Sequence, residues 1–438
     1  MKRQALSFVL LSLALTGCAS WSLPHAESSE QKSENVSDWW LAFEDDALNA
    51  LMTQVSEQNL TYKIAEARLR EAQAQASASR GALFSSVDAV GNANRGERGV
   101  PRLAGSVDAG LQAQWDLDLF GVNRNTSAAA GLRADQASYN QVDALRLIRA
   151  ELAVGVIDQR GLAEQKQLLL QLVSNTALAV SLTQDLTRVG LVGPDSLAQQ
   201  KAQAAAAQQR LHNAEAALAE TGFRLARLMA VSESIVLPGS ALIQVPTPTE
   251  TLGVSLTHLQ QRPDVAAARA GYLASQRDAA AADATLWPRL TLGGFFGVQE
   301  NTRGSMPLAG NPVWSVTSGL TAPILNFGQL RANARAAQAR SEAAVLQYQD
   351  VSNRAVEEAR VALTNYLEGI NASLSAKEAF VREENVTQTV IERYRRGLVN
   401  QLEVLASDNA RIERALQAEL AVRQARTAYV YTWRALGQ

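Results

Sequence analysis

Two segments of the chain read as uninterrupted helices of unusual length. Val122–Val189 and Gln329–Arg396 are 68 residues each and contain no proline. Glycine interrupts them only at Gly131, Gly155, Gly161 and Gly369, and most other positions are Ala, Leu, Gln, Glu or Arg. Those residues lose least on entering a helix. At a rise of 1.5 Å per residue such a rod reaches ~100 Å, several times the width of an ordinary domain. Each rod is reversed at a Gly-Leu-Val and followed by a second proline-free helical stretch, Asp195–Ala230 and Gln401–Leu436. Shorter helical patterns precede them near Leu48–Arg80 and Val265–Leu286. The two shorter stretches of the first half together match one rod in length, so half-length helices stacked end to end can lie beside each full-length one. Helices this long cannot hide their apolar stripes inside one chain of this size, which predicts lateral, coiled-coil-like packing against neighbours.

Between short helix and rod the period switches from 3.6 to 2. Val107, Ala109, Leu111, Ala113, Trp115, Leu117 and Leu119 alternate with Asp108, Gly110, Gln112, Gln114, Asp116 and Asp118. Leu290, Leu292, Gly294, Phe296 and Val298 repeat the pattern, as do Trp314, Val316, Ser318, Leu320, Ala322 and Ile324, and Ser86–Arg95 is a weaker fourth run. The reading is four strands in two hairpins, each strand with one apolar and one wet face. Such alternation fits a soluble sheet half buried on a helix layer, but the chain offers only rods to cover it. It also fits membrane-barrel strands, and Trp115, Phe120, Trp287, Trp314 and Phe327 stand at strand ends as an interfacial girdle does. Four strands cannot close a barrel, so the membrane reading requires an oligomer.

The two halves keep the same spacing. Gly190 follows Gly121 by 69 residues and Gly397 follows Gly328 by 69. The offset between halves is 203 through the first helix (Leu83-Phe84 to Leu286-Trp287) and 207 from the strands onward (Phe120 to Phe327). The predicted organisation is a signal peptide at 1–17, a lipidated N-terminal linker at 18–37, a first repeat at 38–231, a connector at 232–251 and a second repeat at 252–438. Each repeat has a helix, a β-hairpin (about 85–120 and 288–327) and a long helical hairpin with its tip at about 188–195 or 395–401.

Composition narrows the function. Lys2 and Arg3 precede an apolar run, Ala5–Leu15, too short to span a bilayer, and Leu15-Thr16-Gly17-Cys18 follows. Cys18 is the single cysteine, so no internal disulfide is available. It is the expected lipidation site, and covalent lipid is the only group anticipated, with no metal and no other cofactor. No later stretch is apolar enough for a transmembrane helix. A net charge of −2 and a pI near 6.1 speak against nucleic acid. His25, His212 and His258 are scattered, and no phosphate-binding glycine loop follows a strand. Asp116 and Asp118 resemble a general acid/base pair, but the alternation accounts for them without chemistry. The chain is not expected to be an enzyme.

Several motifs, in order, resemble one family: Asp38-Trp39-Trp40 with Phe43, Gln261-Arg262-Pro263-Asp264-Val265, Leu286-Trp287-Pro288, Pro323-Ile324-Leu325-Asn326-Phe327-Gly328, and Tyr394 with Gly397. Together they are similar to the TolC-like, NodT-type outer membrane factors, the lipoprotein exit ducts of efflux pumps. The resemblance covers essentially the whole chain after Cys18. It implies a mainly α fold with a membrane β-barrel part: a homotrimer with four β-strands per protomer, an internal two-fold repeat, and a long α-helical barrel across the periplasm. The implied partners are a periplasmic adaptor (membrane fusion) protein, an inner-membrane transporter and outer membrane lipid. The implied activity is passive conduction of small molecules; a lipid-anchored periplasmic coiled-coil scaffold without a channel is the alternative.

The resemblance also implies site residues. Adaptor contact falls to the tips, at Arg188, Gly190, Leu191 and Val192 and at Arg395, Gly397, Leu398 and Val399. In such a barrel the alternation would place Asp108, Gln112, Gln114, Asp116 and Asp118 in the interior, because their neighbours face lipid. A ring of carboxylates gates the family's channels beyond the second tip. Here the segment reads Ala406-Ser407-Asp408, with alanine at the usual aspartate position, and Asp408 is the gate candidate. The second hairpin is expected to do the gating.

Overall fold

The computed structural model describes residues 38–96, 104–237, 246, 259–302 and 311–438. The chain divides into a unit of Trp40–Gly437 and a second of Met1–Trp39 with Gln438, of which only Asp38, Trp39 and Gln438 are described. Cys18, the signal peptide and most of the connector lie outside the described residues.

The larger unit runs α1 (Asp46–Gln58), α2 (Leu60–Gly81), β1 (Ser86–Gly96), β2 (Ala104–Asp116), α3 (Val122–Arg188), α4 (Pro194–Leu228), α5 (Pro263–Ala284), β3 (Arg289–Thr302), β4 (Asn311–Thr321), α6 (Gln329–Arg395) and α7 (Gln401–Leu436). Both rods form, 67 residues each. They start after glycines with left-handed φ, Gly121 (+85°) and Gly328 (+84°). They stop at two more, Gly190 (+77°) and Gly397 (+74°). At the stops Leu191 N–H donates to Leu186 C=O and Leu398 N–H to Arg393 C=O, both at 2.9 Å. These are Schellman ends, in which glycine takes the left-handed position at no steric cost. Pro194 then opens α4, and Asn400 caps α7 by accepting Glu403 N–H.

The expected helix near Leu48–Arg80 is two helices. Asn59 breaks it: its backbone is extended, its side-chain oxygen accepts Tyr62 N–H at 3.0 Å, and its amide donates to Leu228 C=O at 2.8 Å. One residue thus caps the start of α2 and the end of α4. Arg262, the counterpart at +203, takes only the second of these roles: it donates to Ala435 C=O at 2.8 Å at the end of α7 and makes no side-chain cap at the start of α5.

The rods pack side by side with the shorter helices. α3 lies against α2, α4, α5 and α7, and α6 against α5 and α7. Leu169 and Leu172 of α3, Leu211 of α4, and Ile412 and Leu416 of α7 form one apolar cluster. Three of the four rod glycines sit at close approaches. A Cβ on Gly155 would stand 2.6 Å from Leu225, one on Gly161 2.5 Å from Glu419, and one on Gly369 3.3 Å from Ala425. The start of the connector is held on α3, where Gln159 accepts Leu237 N–H at 2.9 Å and donates to Ile235 C=O.

Candidate functional site

The four strands form one antiparallel sheet in the order β1-β2-β3-β4. Its register puts Ala89 opposite Leu111, Leu111 opposite Phe296, and Phe296 opposite Trp314, so the apolar positions of all four strands share a face. That face is open: Trp314, Val316 and Leu320 are each at least 70% exposed. Among the described residues no helix packs across it, which removes the half-buried soluble sheet. β1 and β4 are outer strands whose far edges carry no ladder partner among the described residues. An open apolar face with two free edges is a strong association surface.

Asp108, Gln112, Gln114 and Asp116 share the opposite, polar face, as the alternation predicts. Asp108 accepts from Asn92 at 2.8 Å, and Asp116 pairs with Arg289 at 3.6 Å. Asp118 departs from the expectation. β2 ends at Asp116, and Asp118 takes a left-handed φ of +42°. Its carboxylate accepts Asn123 N–H at 2.9 Å and Arg124 N–H at 2.8 Å, so it caps the first turn of α3 and is not a strand residue. The helix N-terminus offers free N–H groups that an aspartate satisfies better than water.

Three apolar residues of this face, Val90, Phe295 and Val313, escaped the pattern. Phe295 is a large apolar side chain among polar neighbours, and its ring lies over the facing pair Gly110 and Gly297, where a Cβ would come within 3.0 Å of it. A Gly-Gly pair facing an aromatic two residues away is the signal that was available in the sequence.

At the strand-to-helix turns, Phe120 stacks on Trp287 at 5.5 Å and 13°, and Trp115 donates to Leu83 C=O at 3.1 Å. Phe84, Leu119, Ile324, Leu325 and Phe327 extend this collar and are exposed.

The tips match each other. Arg188 pairs with Asp185 at 3.1 Å and Arg395 with Glu392 at 2.7 Å, each within its own helix. Gly190 and Gly397 make the turns. Leu191 (72%) and Leu398 (65%) project outward, while Val192 and Val399 are half-buried.

Asp408 is already engaged within the chain. Asn175 of α3 donates to it at 2.6 Å and Arg411 at 2.8 Å, and the same Asn175 donates to Asn409 at 3.1 Å. It is therefore half-buried in a link between α7 and α3, not a free carboxylate. Sequence reasoning had no means of finding Asn175, 233 positions away. Nor did it find Glu419, buried between α7 and α3 beside Gly161. Glu419 Oε1 has no hydrogen-bond partner, and burial, then the Glu164 charge, pushes its carboxyl up to about 7 against the pull of Arg426 and Arg423.

The family model described as outer membrane efflux protein matches residues 51–231 and 256–436, the two repeats in turn. The chain belongs to that family. The pyoverdine export outer membrane protein OpmQ of Pseudomonas putida is 27% identical, over 98% of this chain and 96% of its own length. The probable outer membrane lipoprotein SilC of Salmonella typhimurium is 22% identical, over 85% and 81%. The solved structure of the outer-membrane channel OprN superposes with a TM-score of 0.81 at 26% identity, covering 91% of this chain and 92% of that one. This outer membrane efflux protein thus has the channel fold of its family, and its sheet is the outer-membrane part.

Proposed function

We propose that three copies of this chain form the outer-membrane exit duct of a tripartite efflux system, passively conducting small molecules. One observation carries the reading: a four-stranded sheet with one largely apolar face, one largely polar face and, among the described residues, two unpaired edges, set on helical rods long enough to enter the periplasm. Three such sheets supply twelve strands, enough for a barrel with a wet interior. Asp108, Gln112, Gln114 and Asp116 then line the lumen, and Asp118 lies at its periplasmic rim.

Leu191 and Leu398 are the adaptor contacts, because apolar side chains held outward on two matching Schellman turns gain most from being covered. Gly190 and Gly397 serve the turn, and Arg188 and Arg395 stay paired to their own helices. An inner-membrane transporter supplies cargo through that adaptor. Lipid on Cys18 tethers the N-terminus, which the lipoprotein relative SilC supports. Resting closure lies at the second hairpin, where Asn175 holds Asp408 and thereby α7 against α3.

Planar-bilayer recording of the purified protein tests the duct: ion conductance from a trimer is expected. Replacing Cys18 with serine should leave a protein that still needs detergent, since the apolar face remains. A soluble, non-conducting monomer would instead establish the lipid-anchored scaffold.

A further inference from the structure

The two hairpins pair identically once the repeat offsets are applied. In the first, partners run from Ser86 with Gln114 to Gly96 with Ala104, and in the second from Arg289 with Thr321 to Gln299 with Asn311. Adding 203 to each β1 number and 207 to each β2 number converts the first set into the second throughout. The same shifts carry α2 onto α5 and α3 onto α6, end for end. The repeats are therefore equivalent residue by residue, not merely similar in outline.

Within the sheet, among the described residues, the two repeats meet at one junction, β2 against β3. There the paired numbers add to 407, from Gly105 with Thr302 to Asp116 with Thr291. Leu117 N–H extends the ladder by donating to Leu290 C=O at 3.0 Å. β4 is the counterpart of β2 and β1 the counterpart of β3, and both lie at the open edges. What β2 presents to β3 inside one chain, β4 presents outward, and β1 is the surface that fits it.

We infer that β4 of one copy pairs antiparallel with β1 of the next in the register at which residue numbers add to 411. Raising the β2 number by 207 and lowering the β3 number by 203 turns 407 into 411. Thr321 then faces Val90 of the neighbouring copy, Ala322 faces Ala89, and Ile324 faces Val87. This register rests on the oligomeric reading and adds to it the alignment of the seam. It keeps Leu320, Ala322 and Ile324 on the face that carries Val87, Ala89 and Gly91, whereas a slip of one residue would turn an apolar face into the lumen. It also carries the Phe120–Trp287 stack onto Phe327 and Phe84 of the neighbouring copy, rings left 94% and 64% exposed in the single chain.

Cysteine cross-linking of the full-length protein in native outer membranes tests the register. Because Leu117 and Leu290 are hydrogen-bonded partners, the polar-face pairs are the non-hydrogen-bonded, closer ones, with Cα atoms about 4.5 Å apart. Thr321→Cys with Val90→Cys is such a pair. Thr321→Cys with Ser86→Cys is displaced by four residues, about 13 Å. Within one chain the outer strands are three spacings apart, about 14 Å, too far for a disulfide. Mild oxidation should convert most of the first variant to covalent dimer and trimer, and leave the second at the level of the parent chain, which has only Cys18. Preferential linking of the displaced pair overturns the register and leaves the oligomeric duct standing, as does absence of any link in a protein that remains trimeric. A monomer in mild detergent overturns the register and the oligomer together.

Discussion

Replacing Glu419 with glutamine should stabilise this protein above neutral pH, although the substitution removes a charge flanked by two arginines. Glu419 is 9% exposed and its Oε1 has no partner. Its carboxyl is pushed from an ordinary 4.5 up to about 7, by burial first and by the charge of Glu164 second. The folded chain therefore holds a proton that the unfolded chain releases. Stability falls as pH rises from 4.5 through about 7 and levels off above that. At 1.36 kcal/mol for each pH unit, the cost at pH 8 is about 3 kcal/mol per chain. Glutamine keeps the shape, never ionises and removes the repulsion from Glu164. The opposing effect is on Arg426, whose Nε has no partner and whose charge Glu419 helps to hold, so about 3 kcal/mol is an upper bound. The assay is thermal or urea denaturation of purified protein in one detergent from pH 5 to pH 8, wild type beside variant. The difference in stability should be near zero at pH 5 and grow in favour of the variant through pH 7. A difference that stays flat with pH would refute the assignment of Glu419 as the titrating group.

Arg262→Ala should be among the most damaging single changes, because Asp264 and Glu358 lose their shared cation and Ala435 C=O its donor; a loss of about 3–5 kcal/mol, read as a lowered melting midpoint, is expected. Burial pushes the Arg262 guanidinium down, but hydrogen bonds to Asp264 and Glu358 outweigh it, so the pair stays ionised and this loss should not vary near neutral pH. Gly155→Ala places a methyl 2.6 Å from Leu225, and the overpacking should cost about 1–3 kcal/mol in the same measurement; a neutral result would mean that α3 and α4 shift apart freely. Asn175→Ala frees Asp408 from α3, and single-channel conductance should rise with the oligomer intact; unchanged conductance would remove this link from the gate.

The rods were legible because no proline and few glycines fall in 68 successive positions, and the turns because glycine alone takes the left-handed backbone that ends them cheaply. The strands were legible from a period of 2 that a half-wet sheet requires. Legibility failed where a residue serves a contact and not a period. Asn59 is a tolerable residue inside a helix until its amide finds Leu228, and that encounter breaks the helix. Asp118 continues the alternation by one more position, but its carboxylate is drawn to the bare N–H groups of α3 instead. Phe295 contradicts the alternation because two glycines make room for it.

By itself, then, the sequence determined the periods, the lengths and the two-fold repeat, since these are properties of local backbone geometry and of matching intervals. Tertiary structure alone decided which helices touch, and hence that Asp408 meets Asn175 and that Glu419 is buried against Gly161. Those pairings depend on how packed helices are rotated and shifted along one another. A few degrees or one residue of slide changes them while leaving every local pattern intact.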